Sequence, residues 1–429
     1  MYIAQVGFIM NMMAQICSSI VSNAQVMDSF IVFLSPYSST YALQLWPSLD
    51  FLTWKPPKEM LDRAPTMSMA EATNCHRTNV VPFRLEDGVS ENRVIISFGY
   101  ILLGVLLIPM SLMNLDENIF IQKISFYMMV FLSLEFLFQF YMQGLDTHSI
   151  PAFGTNYSHV MGSIVFNYAF IAVIPSWVNE KRPDVSVRNT VWVSTIASTV
   201  LYALIGIMGA VAYERAEGNF LNKLSNVCSP TVTRVSAFLF AFGMIGLGIP
   251  FAAIVTRYNM LVGRMCGPSA SSFWAIYFPW LISWVFYTGG LFGELIAWSG
   301  DVAIGPINFV LPLLITLTAL GVRGVVPDSW GGWAMGRQSA LLEFGGASVR
   351  DERMNALSMQ VAKEGDDTDP VNRETVVEPL PATLKIYHRP IATVTACILG
   401  VMMIISLASH SHHFVAAALQ NAGFGTKQW

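Results

Sequence analysis

The sequence predicts an all-α polytopic membrane protein of nine spans, and three observations carry that prediction. Of 429 residues, 54% are hydrophobic. Only 12% are charged, about half the share of a soluble globular protein. Nine apolar segments reach the ~20 residues a helix needs to cross a hydrocarbon core about 30 Å thick. Strands of a membrane barrel are shorter, so the segment length excludes a barrel. The net charge of −4 and the lack of a basic arm set nucleic-acid binding aside. The 5 cysteines are scattered with no CxxC pair, which speaks against a redox or metal motif. Met1 leads directly into an apolar stretch without a basic region, so no signal peptide is expected.

The predicted spans are 3–30, 94–113, 121–143, 160–178, 190–213, 235–256, 272–293, 301–320 and 390–409. Residues 1–320 form the membrane core with eight of them, interrupted by an outer loop, 36–92, rich in Pro, Ser and Thr. Residues 321–389 open Gly-rich ("GVRGVVPDSWGGWAMG") and turn highly charged ("KEGDDTDPVNRE"). They hold too little apolar surface to fold alone and are expected to be a largely disordered cytosolic loop. Residues 410–429 are an outer tail. Nine spans place the loops on alternating faces. Lys181, Arg182, Arg188, Arg257 and Arg264 share one face, which the positive-inside rule assigns to the cytosol. The opposite face carries the glycosylation triplet at Asn156. Cys75 and Cys228 fall in two different outer loops, either bridged or as free thiols.

Three features could carry chemistry. In the first span, Asn11, Gln15, Ser18, Ser22 and Gln25 recur at spacings of 4, 3, 4 and 3, which places them on one helical face. Polar groups facing lipid would go unsatisfied, so this stripe must face other helices, as interhelical glue or as the lining of a watery cavity. Glu135 lies mid-span in "FLSLEFLFQFYMQ", with Gln139 and Gln143 following on its face. A carboxyl at that depth marks an ion pathway or proton relay, or else a hydrogen-bonded packing residue. Burial is expected to raise its pKa. In "GSIVFNYAFIAVIPSWVNEKRP", Asn167 and Tyr168 interrupt the apolar run between Phe166 and Phe170. Unwound backbone here would expose polar groups to a solute, whereas a continuous helix would only kink near Pro175. The cluster His410, His412 and His413 reads as a solvated flank, and no metal site is predicted. No nucleophile–base pair or set of histidine boxes points to a membrane enzyme.

Four stretches, taken in order, resemble the amino acid/auxin permease family of the amino acid–polyamine–organocation transporters. "GYILLGVLLIPMSLMNLDENIFIQKISFYMMVFLSL" is similar to that family's fourth and fifth spans. "GSIVFNYAFIAVIPSWVNEKRPDVSVRNTVWVSTIASTVLYALIGIMGAVAY" is similar to its sixth and seventh. "FAFGMIGLGIPFAAIVTRYNML", with Pro250 and Arg257, resembles the eighth. "GELIAWSGDVAIGPINFVLPLLITL", with Gly300, Gly305 and Pro312, resembles the connection from ninth to tenth. The resemblance implies a LeuT-type inverted-repeat fold, with the nine spans corresponding to spans 3–11 of eleven. It implies a mid-membrane substrate site formed by Phe166, Asn167, Tyr168, Ala169 and Phe170 together with Gln15, Ser18 and Ser22. The Cys75–Cys228 bridge would join outer loops as in some relatives. The implied activity is secondary active transport of amino acids, neutral ones first, by alternating access, with the lipid bilayer as the other partner and no bound cofactor. Sodium-using relatives carry a hydroxyl in the eighth span, and "GLGIP" has none beside Pro250, which favours proton coupling with Glu135 as the candidate. Spans one and two have no counterpart here, so the expectation divides. Either the chain belongs to a longer transporter, or it is a non-transporting amino-acid sensor or inactive relative. Plasma membrane and vacuolar or lysosomal membrane both fit, and no oligomeric state is implied.

Overall fold

A computed structural model describes most of residues 2–315 and 393–408. Outside the described residues lie 35–38, 56–81, 84–92, 146–159, 179–184, 214–219, 316–392 and 412–429, with isolated positions such as Ala169 and Cys228. The described residues are mostly helical. Five helices are long and apolar enough to cross a membrane, and two shorter ones are apolar throughout. The chain is thus an integral membrane protein built from helices.

α1 runs Tyr2–Leu34. Its 33 residues extend about 50 Å, more than a bilayer core requires, so it reaches into one interface or tilts. α2 (Phe98–Ser111), α3 (Leu115–Gln143), α4 (Val160–Asn167) and α5 (Val187–Ala212) follow, then the short α6 (Phe220–Leu224). α7 spans Thr231–Val262. α8 begins at Pro268–Ser272 and continues to Phe286, and α9 begins at Leu291–Trp298 and continues to Ile315. α10 is Thr393–Ala408.

Two expectations are corrected. The outer loop 36–92 is not purely irregular. β1 (Thr40–Trp46) and β2 (Asp50–Trp54) form an antiparallel hairpin, and β3 (Val94–Ser97) completes a sheet of order β2-β1-β3. The signal was the alternation in "TYALQLW", whose buried positions Thr40, Ala42 and Gln44 face inward. Second, residues 294–300 were expected to be an outer loop before a span starting at 301. They are helical, and α9 crosses them without a gap.

α1 is the centre of the bundle. Ile16, Ile20, Ala24 and Met27 recur on one face and pack against Leu103 and Leu107 of α2, Ile249 and Ala253 of α7, and Trp280 of α8. Val26 points the other way, into a cluster with Phe136 and Phe140 of α3 and Ala237 and Ala241 of α7. α4 crosses α9 at two glycines. A Cβ on Gly300 would collide with the carbonyl oxygen of Gly162, and one on Gly162 with that of Ala297. Small residues are what permit two membrane helices to approach backbone to backbone.

Four helical stretches open into π turns: Ala241–Gly246, Phe273–Tyr277, Ser299–Ile304 and Pro306–Val310. Each contains the residue four before a proline. Gly246 precedes Pro250, Ala275 precedes Pro279, Val302 precedes Pro306, and Asn308 precedes Pro312. Proline cannot donate to the carbonyl four residues back, and its ring crowds that carbonyl. Widening the turn relieves the crowding and lets later N–H groups take up the freed acceptors.

Candidate functional site

The polar stripe of α1 does face inward. Asn11, Ser18 and Gln25 are buried, and Gln15 and Ser22 are partly so. The Gln15 amide donates to Asn11 Oδ1 at 2.7 Å along the stripe. About two turns further, Asn23 donates to the Ser19 carbonyl at 2.7 Å, while its Oδ1 is buried without a partner among the described residues. That oxygen lies beside Gly246, the last residue of the π turn in α7. On the other flank of that turn, Ser125 of α3 donates to the Gly243 carbonyl at 2.7 Å, and Gln122 reaches the Leu247 carbonyl at 3.4 Å. A helix with a relaxed backbone is therefore held between polar side chains of α1 and α3.

The stripe ends in a carboxylate that the sequence reading passed over. Asp28 is 0% exposed. Its Oδ1 accepts from Thr40 Oγ1 of β1 at 2.7 Å and from the Gly99 N–H at 2.9 Å, and its Oδ2 accepts from Tyr287 Oη at 2.6 Å. Gly99 belongs to the first turn of α2, where free N–H groups and the positive end of the helix favour an anion. A side chain at Gly99 would bring its Cβ to 2.8 Å from the Asp28 carboxyl carbon, so glycine is required for the carboxylate to come this close. Gln25 joins the same network by donating to the Tyr287 carbonyl at 2.8 Å and accepting from the Asn222 amide of α6 at 2.9 Å. Spacing was the available signal, because Asp28 lies three residues after Gln25 and continues the stripe.

A second carboxylate passed over is Asp301, 4% exposed, in the π turn of α9. Ser406 Oγ of α10 donates to its Oδ2 at 2.8 Å. The residue was hidden by placing a loop boundary next to it. Glu135 now has a partner. Thr233 Oγ1 of α7 donates to its Oε1 at 3.1 Å. Its Oε2 is buried with no partner among the described residues. Tyr213 lies beside Gln139 and within electrostatic range of Glu135. Asp28 thus has donors on both oxygens, whereas Glu135 keeps one oxygen open.

The break after Phe166 is present. Regular helix ends at Asn167, and Tyr168 forms a turn. Asn167 is exposed, with its amide donating to the Ser163 carbonyl at 2.8 Å. Tyr168 turns toward α5, where its hydroxyl donates to Thr199 Oγ1 at 2.8 Å and its ring meets Tyr202 edge-on. Phe166 packs with Val165, Ile304 and Phe309, and Phe170 is exposed. α4 packs on α9 and its π turn, and α1 packs on that same π turn. Ala169, Asn156, Cys75 and Cys228 lie outside the described residues. Among the described residues no group of His, Cys, Asp or Glu is arranged to hold a metal ion. No protein-family model, curated protein or solved structure matches the chain significantly.

Proposed function

We propose that the chain is a secondary transporter of small neutral amino acids, driven by protons, in which Glu135 carries the coupled proton. The observation that supports this most is the placement of α1. The helix that carries the buried polar stripe packs against the π turns of α7 and α9, and its Asn23 side chain lies beside Gly246 of the first, so a polar side chain meets relaxed backbone at membrane depth. Such places are where a bilayer protein can hold a polar solute, because lipid offers it nothing. The break at Asn167 provides a further set of loosened backbone groups at the α4 end of the same bundle. The choice of amino acids as cargo rests on the resemblance to the amino acid/auxin permeases. The choice of protons rests on Glu135, whose Oε2 is open while Oε1 is held by Thr233. A carboxyl so placed gains and loses a proton without dismantling its anchor.

Uptake of labelled alanine, serine, proline and leucine into proteoliposomes with an inward proton gradient tests the reading. The expected result is accumulation that a protonophore collapses. In Glu135→Gln, gradient-driven accumulation is lost while counterflow exchange persists. No uptake or exchange across a broad amino-acid panel overturns the proposal.

A further inference from the structure

Away from the polar stripe, the first half of α1, the end of α7, α8 and α9 enclose a cavity of about 730 Å³. Its size falls in the range of small-ligand pockets. Its walls are almost wholly apolar, with Met10, Met13, Met260, Met265, Trp274 and Phe278 among them, and Ser299 brings the one hydroxyl and Cys17 and Cys266 the thiols. Water needs two to four polar partners to occupy a site, and these walls do not provide them. A zwitterionic amino acid would fare worse. Methionine walls adapt to flexible apolar chains.

Two further observations identify the occupant. The cavity is continuous with the lipid-facing surface. Its wall residues Val6 and Met10 are 46% and 52% exposed, and Trp274 and Ile282 are also exposed. Its rim is basic. α7 ends in a tight turn in which the Met265 N–H bonds the Met260 carbonyl at 3.1 Å, and both methionines line the cavity. Between them stands Arg264, exposed and at φ +52°, a left-handed position that glycine usually fills. Strain of this kind at a non-glycine residue points to a use for its side chain. Arg264 also lies on the face that the Lys and Arg bias assigns to the cytosol, where bilayer lipids are anionic.

We infer that the cavity binds one acyl chain of an anionic phospholipid from the cytosolic leaflet, with its headgroup held at Arg264. This inference is independent of the transport reading.

The test uses the full chain in phosphatidylcholine nanodiscs containing a minor fraction of phosphatidylserine that bears a photoreactive group on its acyl chain. Adducts are mapped by mass spectrometry. Adducts are expected to concentrate on residues 6–17 and 274–286, and to fall about five-fold when the same photoreactive chain is carried by phosphatidylcholine, the effect of one arginine at an anionic surface. Arg264→Gln, a change at an exposed residue, should erase the headgroup preference. Ala14→Phe, which fills the cavity, should erase the adducts. Adducts as dense on the exposed faces of α3 and α5 as on the cavity walls overturn the inference. Equal labelling by the two headgroups in the unaltered protein does so too, as does a second copy of the chain cross-linking in place of lipid.

Discussion

α1 and α5 are both apolar enough to span a bilayer, yet they live in different solvents. Within its apolar stretch, α1 is 67% buried inside the protein, whereas α5 is 11% buried. α5 presents Trp192, Ile196, Val200, Leu204 and Ile207 outward at spacings of 4, 4, 4 and 3, a continuous lipid-facing ridge. Its hydroxyls bond their own helix. Thr195 donates to the Val191 carbonyl at 2.7 Å and Thr199 to the Thr195 carbonyl at 2.8 Å, so both hydroxyl protons are used within the helix, although Thr199 also accepts from Tyr168. The C-terminal end of the α1 stripe does the opposite. Gln25 and Asp28 direct their polar atoms to Tyr287, Asn222, Thr40 and Gly99, all on other elements. Polar content alone therefore does not distinguish a central from a peripheral span. What distinguishes them is whether the polar groups can satisfy themselves locally.

Mutations separate these two situations. The largest expected loss is from Gly300→Val at the α4–α9 crossing. The new atoms would meet Gly162 backbone, with its Cα 2.7 Å from the added Cβ, which no side-chain rotation can clear. Thermal unfolding in detergent should show a loss of about 3 kcal/mol or more. Asp28→Ala comes next, because it strands Thr40, the Gly99 N–H and Tyr287 at once. About 3–5 kcal/mol is expected, with part of it recovered in Asp28→Asn. Gln25→Leu strands the Asn222 amide and the Tyr287 carbonyl and should cost about 1–2 kcal/mol by the same assay. The smallest is Thr195→Val on α5, expected within about 0.5 kcal/mol of the unaltered chain. A loss at Thr195 as large as that at Gln25 would break the comparison, since it would mean that α5 has a partner its own turns do not provide.

The stripe on α1 was readable because a helix repeats every 3.6 residues and polar groups cannot be left in lipid. It was readable only as far as Gln25, because an Asp near the end of a span resembles an ordinary interfacial residue. Its role depends on Thr40, 12 residues away, and Tyr287, 259 residues away. Glu135 was legible as an intramembrane acid, but Thr233 as its partner was not, for the same reason of distance along the chain. The π turns were within reach of the sequence through the carbonyls four residues before Pro250, Pro279, Pro306 and Pro312. The expected meeting of Phe166–Phe170 with Gln15, Ser18 and Ser22 rested on resemblance to a family, while the packing of α4 and α1 on one π turn of α9 had no signal along the chain.

By itself, then, the sequence determined that the chain enters a membrane as helices, that one face of α1 is polar, and where several helices would loosen. These are sums over neighbouring residues or fixed offsets along one helix. Tertiary structure alone decided that α1 is central and α5 peripheral, that Asp28 has donors on both oxygens while Glu135 keeps an open oxygen, and that an apolar cavity forms between α1, α7, α8 and α9. Those outcomes depend on which distant helices pack together, and within lipid that choice is made by close packing and interhelical hydrogen bonds rather than by hydropathy, which is nearly the same for every span.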